Sequence, residues 1–233
     1  WMAVSGYLGG NLDYDPEIPA GESELDYYKN GIARFAKNIK GLQLNIEESI
    51  ILTGERKPTY LYESNMTRPS YNGRLGQAIV MLDYMTTAME YGSIFPAIFS
   101  LSGGEWRITQ PPNDYKQLPL YIGAKFFNKL CKGTIMETTV ETNSKIHDYS
   151  GVELDFDPVG SHFYTNGTDY SILLISRDFE NDYLLELDLP EGFSFNSTAK
   201  KFLISGSDFS TYDATIDSSD ITLTDDMFIT LPK

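Results

Sequence analysis

Lys57-Pro-Thr-Tyr-Leu-Tyr-Glu-Ser-Asn-Met-Thr-Arg-Pro69 is the stretch of sequence that decides how the chain folds. It contains four strand formers, residues 59–62, held between two prolines that limit where a strand can begin and where the following loop must end. Apolar residues then recur every three or four positions over residues 73–91, which predicts a helix with one buried face. Glu63 therefore lies at the C-terminal end of a strand, directly before a strand-to-helix loop. In β/α architectures, the loops at this end of the strands carry the chemistry.

Glu63 has two interpretations. A carboxylate at the end of a strand is often no more than a solvated side chain. Its neighbours in the sequence favour a binding site, because they are aromatic rings and amide or guanidinium donors, the groups that stack on sugar faces and bond to hydroxyls. These neighbours are Tyr60, Tyr62, Asn65, Arg68 and Tyr71. The residues alone leave both interpretations open.

The composition is that of a folded protein with a sizeable core. The chain has 233 residues, of which 41% are hydrophobic and 13% aromatic, enough for one large domain or two small ones. No apolar run approaches the roughly 20 residues of a membrane span, so none is expected. The single Cys131 cannot form an internal disulfide, and buried packing is its expected role. With only His147 and His162 beside it, the sequence shows no metal-ligand spacing, and no metal or cofactor is expected.

Charge changes abruptly along the chain. Residues 1–133 carry 13 Lys and Arg against 14 Asp and Glu, whereas residues 134–233 carry 5 against 19. This step predicts a domain boundary near Gly133. An acidic surface argues against nucleic acids and anionic membranes as partners. It indicates either the solvated face of a secreted protein or a calcium site within the Asp- and Ser-rich residues 208–226, where no EF-hand spacing is present.

The first predicted β/α unit begins near the start of the chain. A strand over residues 2–7 leads into a glycine-rich loop, and Ser23 is placed to cap a helix with an apolar stripe. Gly41 is expected to end or interrupt this helix, before a second amphipathic piece over residues 42–51. The sequence starts without an initiator methionine, and we expect it to be part of a larger protein.

A third unit follows the helix at residues 73–91. Residues 94–101 form a nearly continuous apolar run, as expected for a strand covered on both faces. It ends at Ser-Gly-Gly-Glu105-Trp106, a second strand end that carries a carboxylate and an aromatic ring. The last helix of this part is predicted over residues 120–132. Strand and helix thus alternate three times, which predicts a parallel sheet or part of a barrel.

Beyond Gly133 the hydrophobic period changes from helical to two, which predicts an antiparallel β-sandwich. Asn166-Gly167 between two strand-like runs is a strong hairpin signal. The predicted strands are residues 134–142, 161–166, 170–177, 183–189, 201–205, 221–224 and 227–231. Three sequons allow N-glycosylation of a secreted protein, and they begin at Asn65, Asn166 and Asn196.

This layout resembles the C-terminal part of a retaining glycoside hydrolase of the large (β/α)₈ superfamily that includes arabinofuranosidases, β-xylosidases and heparanase-like glucuronidases. The resemblance implies a partial (β/α)₈ (TIM) barrel over residues 1–133, followed by an accessory β-sandwich over residues 134–233. It also implies a nucleophile at the end of the seventh barrel strand, which maps to Glu63 in Tyr62-Glu63-Ser64-Asn65. The substrate-binding residues that follow from this layout are Tyr7, Tyr62, Asn65, Glu105 and Trp106.

The sequence departs from the family at the second catalytic residue. In the family the acid/base glutamate follows an asparagine on the fourth strand, and this sequence contains no Asn-Glu pair. Retaining hydrolysis needs two carboxyl groups about 5–5.5 Å apart. Two hypotheses therefore stand. The protein is a secreted glycosidase of polysaccharides or oligosaccharides whose acid/base residue lies in an N-terminal remainder of the barrel, or a non-catalytic extracellular protein that binds carbohydrate, adheres or builds.

Overall fold

The structure is a computed structural model, and it describes residues 2–8, 23–66, 72–98, 107–109, 116–147, 153–154, 156–188, 198–222 and 227–233. Helices and parallel strands alternate up to residue 130, and the strands after that residue pair antiparallel. The elements are β1 (Met2–Leu8), α1 (Glu24–Thr53), β2 (Thr59–Met66), α2 (Leu75–Glu90), β3 (Ser93–Ile98), α3 (Pro119–Leu130), β4 (Thr134–Met136), β5 (Val159–Thr165), β6 (Tyr170–Ser176), β7 (Tyr183–Leu187), β8 (Thr198–Ser205), β9 (Thr215–Thr222) and β10 (Met227–Leu231).

The first three strands form one parallel sheet in the order β1-β2-β3. Parallel neighbours need a crossover connection, and α1 and α2 provide the two crossovers. The predicted alternation of strands and helices, and the predicted parallel pairing, are thus confirmed. β2 is the central strand of this sheet, so the stretch at residues 57–69 lies between its two neighbours.

Helix α1 is one continuous helix of 30 residues, and the predicted break at Gly41 is wrong. A glycine inside a helix costs only about 1 kcal/mol relative to alanine. The buried stripe continues through Leu42 and Ile46 on the far side of it, which offsets that cost. The predicted cap at Ser23 is confirmed. The Asp26 amide donates to Ser23 Oγ at 3.1 Å, and the Ser23 amide donates back to Asp26 Oδ2 at 3.0 Å.

Helix α2 has the predicted position but is buried on nearly every side. Of its 16 residues, 13 are buried, whereas the sequence predicted one buried face. The helix is enclosed because α1, α3, the parallel sheet and the β5–β6 hairpin all contact it. Polar side chains on such a helix need partners inside the protein, because an unpaired buried polar group is costly. Gln77 and Asp83 are two such polar residues, and both are fully buried.

The hydrophobic core extends across residue 133. Phe35 of α1 makes edge-to-face contacts with Tyr84 of α2 at 5.5 Å and with Phe156 at 4.8 Å between ring centroids. Ile175 of β6 belongs to the same buried cluster. The division into two domains near Gly133 remains a prediction, and the apolar packing on its two sides is continuous.

The strands after residue 133 pair antiparallel, as predicted, in three small sheets: β4-β5-β6, β7 with β10, and β8 with β9. The Asn-Gly hairpin is confirmed. Asn166 Oδ1 accepts bonds from the amides of Thr168 and Asp169 at 2.9 and 2.8 Å, and Gly167 has a φ of 89°. The predicted bounds are wrong by more than two residues at three strands: β4 ends at Met136, β8 begins at Thr198 and β9 begins at Thr215. The start of β9 was not predicted because its residues are mostly exposed and polar, and they show no hydrophobic alternation.

The lone Cys131 follows α3 directly and is partly buried. Burial raises the pKa of its thiol to about 11, which keeps the thiol protonated and unreactive at neutral pH. Among the described helices, none combines the length and the apolarity that crossing a membrane requires.

Candidate functional site at the end of the central strand

Glu63 lies in the second half of β2, between the two outer strands of the parallel sheet. It is opposite Ser5 of β1, and the next residue, Ser64, is opposite Ile98 of β3. Its side chain is half-buried. Ser64 is fully buried and donates from Oγ to the Ala97 carbonyl oxygen at 2.8 Å, which fixes β2 against β3 next to Glu63.

The pairing of β2 is irregular on both sides at Tyr62 and Glu63. Against β1 the register shifts between Val4 and Ser5, so that β2 contributes one residue more than its neighbour. Against β3 the register shifts between Leu61 and Ser64. An extra residue in a strand turns the side chains that follow and increases the local twist, and such bulges occur preferentially next to active sites. The irregularity therefore bends the backbone of β2 at Glu63 and changes the direction of the side chains there.

A buried amide cluster fixes the chain just beyond Glu63. Asn65 is fully buried, and its Oδ1 accepts a bond from Gln77 Nε2 at 2.6 Å and from the Met66 amide at 2.7 Å. Gln77 Nε2 also donates to Asn72 Oδ1 at 3.0 Å, and Gln77 Oε1 accepts from the Gly73 amide at 2.5 Å. One side chain on the first turn of α2 thus holds both ends of the loop between β2 and α2.

The role of Gln77 in joining β2 to α2 was not predicted from the sequence. The only signal was a polar residue between Gly76 and Ala78 inside a predicted apolar helix. That signal predicts burial of an amide but does not name its partners.

The loop between β8 and β9 lies against the same end of α2. The amides of Leu75 and Gly76 donate to the carbonyl oxygens of Thr211 and Phe209 at 2.9 and 2.8 Å. The first amides of a helix have no partner within the helix, so carbonyls from another element are an effective cap. The guanidinium of Arg74 also lies over the Tyr212 ring, 5.1 Å from its centroid. The C-terminal part of the chain therefore caps the start of α2, the helix that follows β2.

The ion pair of Arg74 with Glu24 links this end of α2 to the start of α1. Tyr28 donates from its hydroxyl to Glu24 Oε1 at 3.0 Å. Burial raises the pKa of Glu24, and the guanidinium of Arg74 and the Tyr28 hydroxyl act in the opposite direction. Both helices that flank β2 are thus joined at the end where Glu63 lies.

Of the predicted site residues other than Glu63 and Asn65, two lie in the described strands β1 and β2. Tyr7 of β1 is opposite Asn65 in the sheet register, and Tyr62 precedes Glu63 in β2. These two backbones and Glu63 share one end of the sheet. Glu105, Trp106 and the sequon asparagine Asn196 lie outside the described residues.

The two described sequon asparagines have different environments. Asn166 is exposed in the β5–β6 turn and donates from Nδ2 to Asp169 Oδ2 at 3.2 Å. Asn65 has no exposed surface, so attaching a glycan there requires the amide cluster with Gln77 to open.

Within the described ranges, no group of three or more His, Cys, Asp or Glu side chains is arranged to hold a metal ion.

No protein-family model matches the chain, and no curated protein matches it.

Solved structures do match the fold. The chain is similar to the GH51 α-L-arabinofuranosidase of Thermotoga petrophila RKU-1, with a TM-score of 0.69 and 14% identity. It is also similar to the α-L-arabinofuranosidase of Thermotoga maritima in its arabinose complex, at 0.71 and 13%, and to the GH51 arabinofuranosidase of Xanthomonas axonopodis pv. citri, at 0.76 and 11%.

The chain folds like half of a GH51 arabinofuranosidase. Each match covers 99% of this chain and 50% of the other protein. The resemblance to the C-terminal part of a glycoside hydrolase, which the order of elements and the residues around Glu63 indicated, is confirmed at the level of the fold. Sequence identities of 11–14% show the shared fold alone.

Proposed function

We propose that this chain is part of a retaining glycoside hydrolase that acts on a polysaccharide or oligosaccharide, with Glu63 as the nucleophile. The observation that supports this most directly is the position of Glu63. It lies near the C-terminal end of the central strand of a parallel sheet, at the point where the strand's register is irregular on both sides. Active sites in β/α folds are built at this end of the strands.

The chemistry needs one carboxylate to attack the anomeric carbon and a second carboxyl group to protonate the leaving oxygen. The carbon–oxygen bond to the leaving group breaks as the bond to Glu63 forms. Water then hydrolyses this glycosyl-enzyme, and the second carboxyl group takes the proton from water. Because the matched hydrolases are about twice as long as this chain, we propose that the acid/base residue lies in an N-terminal remainder of a (β/α)₈ barrel.

The contacts to substrate are also proposals. We propose that Tyr7 and Tyr62 orient Glu63, because Tyr62 precedes it in β2 and Tyr7 belongs to the neighbouring strand β1. Glu105 and Trp106 are proposed as a hydrogen-bonding group and a stacking platform. Asn65 is buried and bonded to Gln77. We therefore propose that it affects substrate binding indirectly, by joining the end of β2 to the first turn of α2. Because a polysaccharide substrate is met outside the cell, we propose that the protein is secreted.

The experiment replaces Glu63 with glutamine in the full-length protein and measures turnover of a panel of aryl arabinofuranosides, xylosides and glucuronides. Glu63→Gln keeps the size of the side chain but removes the attacking charge, so kcat falls by several orders of magnitude while the melting temperature stays unchanged. Glu47→Gln, at an exposed carboxylate on α1, is the matched control and keeps the wild-type rate.

Two results contradict the proposal. A Glu63→Gln variant with the wild-type rate shows that the nucleophile lies elsewhere. A full-length protein that binds sugars but turns over none of the panel favours the non-catalytic, carbohydrate-binding alternative.

A further inference from the structure

Four charged side chains meet where α2 contacts the β5–β6 hairpin. Asp83, in the middle of α2, receives two bonds from the guanidinium of Arg177, from Nε at 2.5 Å and from Nη2 at 3.0 Å. His162 of β5 lies between two carboxylates, with Nε2 3.2 Å from Asp83 Oδ1 and Nδ1 2.8 Å from Glu90 Oε1. Asp83 and His162 are almost completely buried, Arg177 is 9% exposed, and the side chain of Glu90 is 25% exposed.

The two carboxylates that His162 faces favour a ring with a proton on both nitrogens. A neutral imidazole has one nitrogen that donates and one that accepts, whereas an ionised carboxylate only accepts. A neutral ring in this position would direct a lone pair at one of the two carboxylates. Both contacts are satisfied when both ring nitrogens carry a proton. The cluster then holds two positive and two negative charges, which is the condition under which buried charges are tolerated.

Arg177 is held in place independently of His162. It donates from Nη1 to the carbonyl oxygens of Asp157 and Val159 at 3.3 and 3.4 Å. Its guanidinium also lies over the Phe156 ring, 4.0 Å from the centroid. A neutral His162 would leave Asp83 with its guanidinium partner but would leave Glu90 without the cation that it faces.

The other titratable groups near the cluster are uncharged at neutral pH or already paired. Tyr164, two residues beyond His162 on β5, and Cys131, after α3, are protonated because burial raises the pKa of each. The carboxylate of Asp157 is bonded to Lys145 at 2.8 Å. Within the described part of the chain, the balance of charge at this contact therefore depends on the proton of His162.

We propose that His162 is an imidazolium at neutral pH and is the cationic centre of a buried lock that joins α2 to the β5–β6 hairpin. Loss of its second proton leaves an uncompensated negative charge at this contact and weakens it. The lock is independent of the proposed hydrolase activity. It makes the attachment of the C-terminal strands to α2, the helix that also carries Gln77, dependent on pH.

The electrostatics agree with this assignment. Burial acts to lower the pKa of His162, but the hydrogen bonds and charges of Asp83 and Glu90 outweigh it and raise this pKa to about 9. Burial likewise acts to raise the pKa of Asp83, and Arg177 and His162 together lower it to about 2. A histidine whose pKa is higher in the folded state stabilises that state fully below its unfolded pKa of about 6.5. The stabilisation is lost as the pH rises to about 9.

The first test observes the proton directly. In the full-length protein labelled with nitrogen-15 histidine, a spectrum that correlates ring nitrogens with ring protons distinguishes imidazolium from either neutral tautomer. Through-bond correlation of each ring with its own backbone amide identifies the signals of His162, and His147→Gln, at an exposed histidine, is the control. We expect both nitrogens of His162 to be protonated at neutral pH and to remain so until the pH approaches about 9. A single protonated nitrogen at neutral pH would overturn the proposal.

The second test measures the melting temperature at about pH 6.5 and about pH 9 for the wild type, His162→Gln and the control His147→Gln. Wild type and control should lose melting temperature together over this interval. His162→Gln should be lower at the acidic end and should show a smaller loss, because it has no proton to release. An equal loss in all three proteins would overturn the proposal, and the spectrum of the wild type decides the question if His162→Gln does not fold.

Discussion

Gln77 and Asn65 are joined by a hydrogen bond of 2.6 Å that ties the first turn of α2 to the end of β2, two residues beyond Glu63. The same Gln77 also bonds Asn72 and the amide of Gly73. Replacing Gln77 with leucine keeps a helix former of similar size but removes the partner of the Gly73 amide and of Asn72 Oδ1, and one of the bonds to Asn65 Oδ1. Because one unsatisfied buried polar group costs about 1–3 kcal/mol, we expect Gln77→Leu to lower the free energy of unfolding by at least that amount.

Denaturant unfolding of the full-length protein measures this change. Gln43→Leu on α1, at a side chain that is only half-buried, is the matched control and should change the free energy of unfolding by less than about 0.5 kcal/mol. Equal effects of the two substitutions would show that the Gln77 bonds contribute nothing specific.

The order of strands and helices was predictable because it depends on local periodicity. The apolar positions of α1 and α2 and the alternation in β5 and β6 are visible in short windows of sequence. The polar contacts were not predictable, since Asp83 and Arg177 are 94 residues apart. Which distant polar residues meet depends on how the helices and sheets pack, and a single sequence does not contain that information in local form.

The candidate site divides in the same way. Glu63 was predicted at the end of a strand, whereas the structure places it as the fifth of the eight residues of β2, the central strand of a parallel sheet. The register irregularity at Glu63 and the role of Gln77 depend on the pairing of three strands and a loop. Neither feature can be predicted from the sequence of residues 57–69 alone.

Asp83 and Asp213 offer a direct comparison of a buried and an exposed ion pair. Removing one partner of a buried pair leaves an uncompensated charge and costs about 3–5 kcal/mol. Asp83→Asn leaves both Arg177 and His162 without their shared carboxylate, so we expect a loss of this size. Asp213 pairs with Lys116 on the surface, and exposed pairs contribute at most about 1 kcal/mol.

Chemical denaturation of Asp83→Asn and Asp213→Asn under the same conditions gives both values. A similar, small change in the two variants would mean that the buried cluster does not stabilise the fold.

The same substitution at two glycines should have opposite effects. A Cβ at Gly160 would lie 2.6 Å from Asp83 Oδ1 and 3.0 Å from Arg177 Nη2, so alanine there displaces the ion pair. We expect Gly160→Ala to destabilise the protein by about 1–3 kcal/mol, as overpacking does. At Gly41, inside α1, a Cβ meets no atom within 4 Å. Gly41→Ala should therefore stabilise by about 0.5–1 kcal/mol through helix propensity.

Thermal melts of both variants, compared with the wild type, check the two signs. A stabilising Gly160→Ala would show that the cluster at Asp83 has room that the structure does not indicate.

The outer strands of the parallel sheet predict how residues 1–233 behave when produced alone. Within the described part of the chain, β1 and β3 each pair only with β2, so each has one edge whose backbone groups have no strand partner. Parallel sheets are normally covered on both faces and at both edges, and unpaired edges favour aggregation. Apolar side chains near the end of α1 add to this tendency, with Ile51 80% and Leu52 79% exposed. We therefore expect residues 1–233 alone to aggregate, and a longer protein that supplies strands next to β1 and β3 to be soluble.

Size-exclusion chromatography and a thermal melt of the isolated chain provide the measurement. A soluble monomer with a cooperative melt would contradict this prediction, and it would favour a self-contained binding module over part of a barrel enzyme.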